Sequence, residues 1–226
     1  MKAVTALLLD LDGTLLDTAP EMAEALNILR GEEKLSPLPF DLIRPTVSHG
    51  SIRMVNLAFA GVTETEFERL RVRFLDIYRG MLGTNTRLFA GFDAVFDHVD
   101  RFGLAWGVVT NKPGWLTDPL LETLDLKPTN ACIVSGDTVA ERKPHPLPLL
   151  HAAGLIGRTP EECLYVGDAE RDIKAGKAAG MRTVVAGWGY LGEQDVPDAW
   201  QADGFVQAPA DLVSWLPQSD KQLAVT

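Results

Sequence analysis

Short apolar runs alternate with segments of helical period along most of the chain. Thr5–Leu9, Leu104–Val109, Ala131–Val134, Cys163–Val166, Arg182–Val185 and Gly204–Val206 are almost continuously apolar. Such runs suit the strands of a parallel sheet that is covered on both faces. Between them, Phe92, Val95, Phe96 and Val99 recur at helical spacing, and Gly103 supplies a stop. Thr159-Pro160-Glu161-Glu162 sets an N-cap, a first-turn proline and a capping-box glutamate in order. The alternation predicts an α/β fold with a doubly wound, Rossmann-like parallel sheet.

The stretch 18–88 breaks the rhythm. It follows the first strand but holds no second one, and it reads as helices over Pro20–Arg30, Ser51–Ala60 and Thr63–Tyr78. Thr63 and Glu66 are spaced for a capping box. A simple crossover needs far fewer residues. The pattern therefore predicts a catalytic core of residues 1–17 and 89–226 with a small α-helical cap inserted at 18–88. The polar tail after Pro217 is expected to fray.

Composition narrows the class. No apolar run approaches the roughly 20 residues of a membrane span, and the stretch before Asp10 is too short for a secretory signal. A cytoplasmic protein is expected. Cys132 and Cys163 each lie in an apolar stretch, which reads as reduced, strand-buried thiols. The net charge of -10 argues against nucleic acid or an anionic membrane as partners. That charge also repels anionic substrates, so any site for phosphate must concentrate positive charge locally.

Ligands of open α/β sheets bind at the carboxyl ends of the strands. The first strand here runs into Asp10-Leu11-Asp12-Gly13-Thr14, the second into Thr110-Asn111-Lys112, and the fourth into Gly167-Asp168, with Asp172 further on. The third is followed by a loop holding Lys143-Pro144. An unpaired carboxylate at the end of an apolar strand is costly, and a cation offsets that cost. Two carboxylates, Asp10 and Asp168, with a backbone carbonyl and waters make the hard oxygen shell that Mg²⁺ takes. Thr110 and Asn111 have groups that donate to phosphate oxygens, and the prolines beside Lys143 aim a rigid cation. Asp172 reads as a helix N-terminal charge, or as a partner for Lys143 or a metal-bound water.

Together these segments resemble the haloacid dehalogenase superfamily of phosphatases. Its four motifs match LLLDLDGTLLDT, VVTNK, ERKPHP and YVGDAERD, and the helical insertion is similar to that superfamily's C1-type cap. The resemblance implies a phosphatase in which Asp10 attacks phosphorus and Asp12 serves as general acid, then base. It implies Mg²⁺ held by Asp10, the Asp12 carbonyl and Asp168, with Thr110, Asn111 and Lys143 on the phosphoryl oxygens. Dehalogenating members lack the second aspartate, and phosphonate-cleaving members need a cap lysine. The cap here offers only Lys34, within a charged loop.

The cap segment Leu42–Ser51 holds Arg44, Ser48, His49 and Gly50 just ahead of a helix. A helix N-terminus beside arginine favours an anion. The four residues are therefore expected to meet the non-phosphate end of the substrate, Arg44 through a carboxylate. The competing reading is ordinary capping by Ser51, with Arg44 at the surface. Within the superfamily the chain is similar to phosphoglycolate phosphatases. Its IRPTVSHG, LAWGVVTNKP and WGY…ADGFV segments resemble N-acetylmuramic acid 6-phosphate phosphatases. The rival readings are a sugar phosphomutase on the same scaffold and a non-enzymatic module phosphorylated on aspartate. The substrate is expected to be a small phosphate ester, handled by a monomer or homodimer.

Overall fold

The computed structural model describes residues 2–126 and 131–219. The apolar runs become strands β1 (Ala6–Leu9), β4 (Ala105–Val109), β5 (Ala131–Val134), β6 (Cys163–Gly167), β7 (Arg182–Ala186) and β8 (Gly204–Val206). Between β1 and β4 lie two short strands, β2 (Leu16–Asp17) and β3 (Arg87–Leu88). The main sheet is parallel throughout, in the order β5-β4-β1-β6-β7-β8. Strands β4 and β5 are laid down on one side of β1 and β6, β7 and β8 on the other, which puts the switch point of the sheet at the carboxyl end of β1.

Side-chain alternation explains why β1 is apolar at every position. Leu7 and Leu9 join one buried cluster with Phe92, Val95 and Val99, while Ala6 and Leu8 join another with Leu149, Ala152 and Ala175. Helix α5 (Phe92–Arg101) covers the first face. Helices α7 (Leu147–Leu155) and α8 (Glu170–Ala179) cover the second. Helix α6 (Gly114–Thr123) lies between β4 and β5 in the chain. A strand buried on both sides has no position left for a polar residue until it ends, and β1 ends at Asp10. Cys132 and Cys163 are both buried and free.

The inserted stretch is helical as expected. Helices α1 (Ala19–Glu32), α3 (Gly50–Ala58) and α4 (Glu64–Arg79) are joined by a short α2 (Phe40–Ile43) and a 3-10 segment, Arg44–His49. They bury a separate cluster built on Leu26, Leu29, Met54, Val55, Leu70 and Phe74. Thr63 caps α4, its hydroxyl accepting from the Glu66 amide at 3.4 Å. Ser51 does not cap α3, because that helix already includes Gly50.

Two features depart from the expectation. A two-residue antiparallel ribbon, β2 with β3, clamps the chain where it leaves for the helical insertion and where it returns. Strands this short carry no periodicity, so no sequence pattern announces them. The turn capped by Thr159 is a single 3-10 turn, Pro160–Glu162, because β6 starts at Cys163. Of the tail after Pro217, where fraying is expected, residues 220–226 lie outside the described residues. No helix among the described residues is long and apolar enough to cross a membrane.

Candidate active site

The carboxyl ends of β1, β4 and β6 bring distant residues together. Asp10, at the exit of β1, is 3% exposed. Its Oδ1 accepts from the Leu11 amide at 2.7 Å and pairs with Lys143 Nζ at 2.8 Å. Arg171 Nη2 stands 3.9 Å from its Oδ2. Burial holds the Asp10 carboxyl above its ordinary range, against the pull of Lys143.

Lys143 has no exposed side-chain surface. Its ammonium pairs with Asp10 and Asp172, both at 2.8 Å, and donates to the Val109 carbonyl at 2.8 Å and the Tyr165 hydroxyl at 2.7 Å. One lysine thus offsets two buried carboxylates that would otherwise repel each other. Asp172 lies at the head of α8, where its Oδ2 accepts from the Ala169 amide at 3.1 Å. Of the alternatives open for Asp172, both the helix-end charge and the Lys143 partner are realised. Burial raises the Asp172 carboxyl, and Lys143 with Arg171 bring it below its ordinary value.

Asp168 ends β6 with its carboxylate enclosed. Oδ2 accepts from the Ser48 hydroxyl at 2.6 Å and the Tyr190 amide at 2.8 Å. Oδ1 is buried with no hydrogen-bond partner among the described residues. Burial, then the nearby charges of Asp10 and Asp172, push the Asp168 carboxyl up to about 7. Ligand oxygens of Asp10, Asp168 and Asp172 lie within 4.8 Å of one another. An orphaned oxygen within a crowded set of carboxylates fits a hard divalent cation. Gly13 and Gly189 line the same spot. A Cβ at either would sit 2.2 Å from an Asp168 side-chain atom, and Gly13 also holds φ at +83°.

Asp12 differs from Asp10 in being partly open, with 18% of its side chain exposed. Lys112 Nζ donates to both its oxygens, at 2.9 and 3.1 Å, and to the Tyr78 hydroxyl at 2.9 Å. A cleft of about 670 Å³ opens over Asp10 and Asp12. Thr110, Asn111, Ser48, His49 and Gly50 line it, as do Arg142 and Arg171.

Placement refines several sequence-based expectations. Asn111 lines the cleft, yet its amide braces the Lys143 loop, donating to the Lys143 carbonyl at 2.9 Å and accepting from its N–H at 3.0 Å. Ser48 reaches the acidic cluster instead of an open substrate end. Arg44 is not among the cleft residues. Its guanidinium donates to the Trp188 carbonyl at 3.1 Å and lies 4.9 Å from the Tyr190 ring centroid. Burial, then Arg171, lower the pKa of His49.

Sequence reading assigned no role to Lys112, Arg142, Arg171 or Tyr78. The first three stand inside the motifs, so spacing flagged their neighbourhood but not their contacts. Tyr78 lies in the insertion, and only the packing of α4 over β4's exit brings it to Lys112.

Comparison with known proteins agrees with this geometry. Residues 7–186 match the family described as haloacid dehalogenase-like hydrolase. A phosphoglycolate phosphatase of Xanthomonas campestris is 45% identical over 96% of this chain and 97% of its own. An N-acetylmuramic acid 6-phosphate phosphatase of Pseudomonas putida is 38% identical over 92% of this chain and 93% of its own. A crystal structure described as a predicted phosphoglycolate phosphatase from Haemophilus somnus superposes with a TM-score of 0.83 at 25% identity, over 95% of this chain and 99% of that one. With the motifs, the fold and the full-length relatives in accord, the chain belongs to the haloacid dehalogenase-like hydrolase family and is a phosphatase.

Proposed function

We propose that the protein hydrolyses a small phosphate monoester through a phospho-aspartyl intermediate on Asp10, with Mg²⁺ as cofactor. The observation that carries this reading is the division of labour at the exit of β1. Asp10 and Asp12 both line the cleft, but Asp10 is held by Lys143 among the other carboxylates, while Asp12 is the more open of the two. Asp10 attacks phosphorus as the nucleophile. Asp12 gives a proton to the leaving oxygen, then takes one from the water that releases phosphate. Thr110 and the buried charge of Lys143 stabilise the phosphoryl oxygens, Asn111 braces the Lys143 loop, and Arg142 and Arg171 add positive charge in the cleft. Asp10, Asp168 and the Asp12 carbonyl would hold Mg²⁺, which when bound screens the nucleophile from the phosphate.

In this reading 1–17 and 89–226 form the catalytic core and 18–88 the cap. The insertion's own buried cluster, to which the core contributes Leu116 and Tyr190, and the β2–β3 ribbon at the junction support that division. Two free, buried thiols fit a cytoplasmic enzyme. We expect it to act as a monomer or homodimer.

The substrate is phosphoglycolate or N-acetylmuramic acid 6-phosphate, after the relatives. The size of the cleft favours the second. About 670 Å³ far exceeds a two-carbon acid, and the exposed apolar side chains of Ile52, Val72 and Trp115 form part of its wall. Comparing kcat/KM for both esters, other sugar phosphates and nucleotides tests this. A nucleotide preferred over both would overturn it. Arg44→Ala should leave the ranking unchanged, because Arg44 contacts Trp188 and Tyr190.

A further inference from the structure

Lys112 and Tyr78 have no place in the scheme above, yet they form a buried polar pair directly against Asp12. Lys112 follows β4, is 4% exposed at its side chain, and places its single ammonium against three oxygens. Two belong to Asp12, and the third is the Tyr78 hydroxyl. Tyr78 is fully buried near the end of α4, stacked on Phe74 with ring centroids 6.4 Å apart. Its oxygen is therefore fixed by the packing of the helical insertion.

An ammonium has three protons to give. Here each has a partner, so the three contacts lock both the ammonium and the plane of the Asp12 carboxylate. Buried charge of this kind persists only when its hydrogen bonds are complete. Without Tyr78 Oη, the ammonium loses its one anchor outside Asp12 among the described residues. Without Lys112, the Asp12 carboxylate turns freely in a half-open site.

We infer that Lys112 and Tyr78 are positioning residues through which helix α4 sets the orientation of Asp12 for proton transfer. The inference rests on the reading of Asp12 as general acid. Proton transfer is sensitive to orientation, because donor and leaving oxygen must meet at hydrogen-bond distance. The device ties the chemistry to the insertion: an α4 that shifts away takes the Tyr78 oxygen with it and releases Asp12.

The test separates acid catalysis from general damage. An alkoxide leaving group needs a proton as it departs, whereas 2,4-dinitrophenolate does not. kcat/KM reports only the steps through transfer of the phosphoryl group to Asp10. Tyr78→Phe, Lys112→Met and Asp12→Asn are assayed at saturating Mg²⁺ with glycerol 2-phosphate and 2,4-dinitrophenyl phosphate. The expected result is a fall in the alkyl-to-aryl ratio of kcat/KM by about tenfold in Tyr78→Phe and by more in Lys112→Met, approaching Asp12→Asn. Tyr78→Phe removes one oxygen and keeps the stacked ring, so its fold is expected to survive.

Ratios within about twofold of the parent in both variants, while Asp12→Asn shifts it, would overturn the inference and leave Asp12 as the acid. Equal losses on both esters would also overturn it, as general damage. An unchanged ratio in Asp12→Asn would sink the reading of Asp12 itself.

Discussion

The Ser48 hydroxyl stands 2.6 Å from Oδ2 of Asp168, so the helical insertion reaches directly into the acidic cluster. The same oxygen accepts from the Tyr190 amide, and the two donors turn the unpartnered Oδ1 toward other use. Groups that orient a metal-ligating carboxylate typically change metal affinity by about 10–100-fold when removed. Ser48→Ala is therefore expected to raise the Mg²⁺ concentration for half-maximal activity about tenfold. A Mg²⁺ titration of activity checks this, and an unchanged midpoint would show that Ser48 does not orient the ligand.

Lys143 is the keystone of the cluster, because its ammonium faces both Asp10 and Asp172 at 2.8 Å with no solvent to help. Lys143→Met leaves two buried carboxylates with only the more distant charge of Arg171 to offset them. Breaking a buried pair in this way costs about 3–5 kcal/mol. Urea denaturation should show a loss of that order. Adding Asp172→Asn should recover part of it by removing one of the stranded charges, whereas additive losses would contradict the account.

Asp168 gives the metal-free protein a pH signature. Its carboxyl is pushed up to about 7 from an ordinary 3.8, first by burial and then by Asp10 and Asp172. The folded protein thus holds a proton that the unfolded chain has already released. Folding stability from this group falls as pH rises from about 4 to about 7 and is level above. Thermal melts in chelator should show the fall, and Asp168→Asn should flatten it. Added Mg²⁺ competes with that proton, so its stabilisation should be larger at about pH 8 than at about pH 5. Equal stabilisation at both would contradict the assignment.

Legibility followed the physics of each feature. The strands of the main sheet were visible because burial on two faces forces every side chain of β1 to be apolar. Asp10 stood out because it is the first residue at which that constraint ends. The contacts made by Asn111 and Arg44 were not visible. Each side chain has chemistry that suits phosphate or a carboxylate, and only the fold decides that Asn111 braces Lys143 and Arg44 stacks on Tyr190. Glu21 was hidden for the same reason. Its buried carboxylate gathers the amides of Gly83, Asn85 and Thr86 and so anchors the return linker of the insertion. Tyr190 does the equivalent for the outgoing linker, accepting from the amides of Thr18 and Ala19 at 2.7 and 2.9 Å. Contacts between residues so far apart in sequence leave no local pattern.

The most direct test of the account is to trap the covalent intermediate. Enzyme turning over a phosphate ester with Mg²⁺ is quenched with borohydride, which reduces an acyl phosphate to the alcohol, and its peptides are weighed. The account predicts homoserine at position 10, formed only with substrate present and absent from Asp10→Asn, which should itself be folded and inactive. Reduction at another carboxylate, or full turnover by Asp10→Asn, would contradict it.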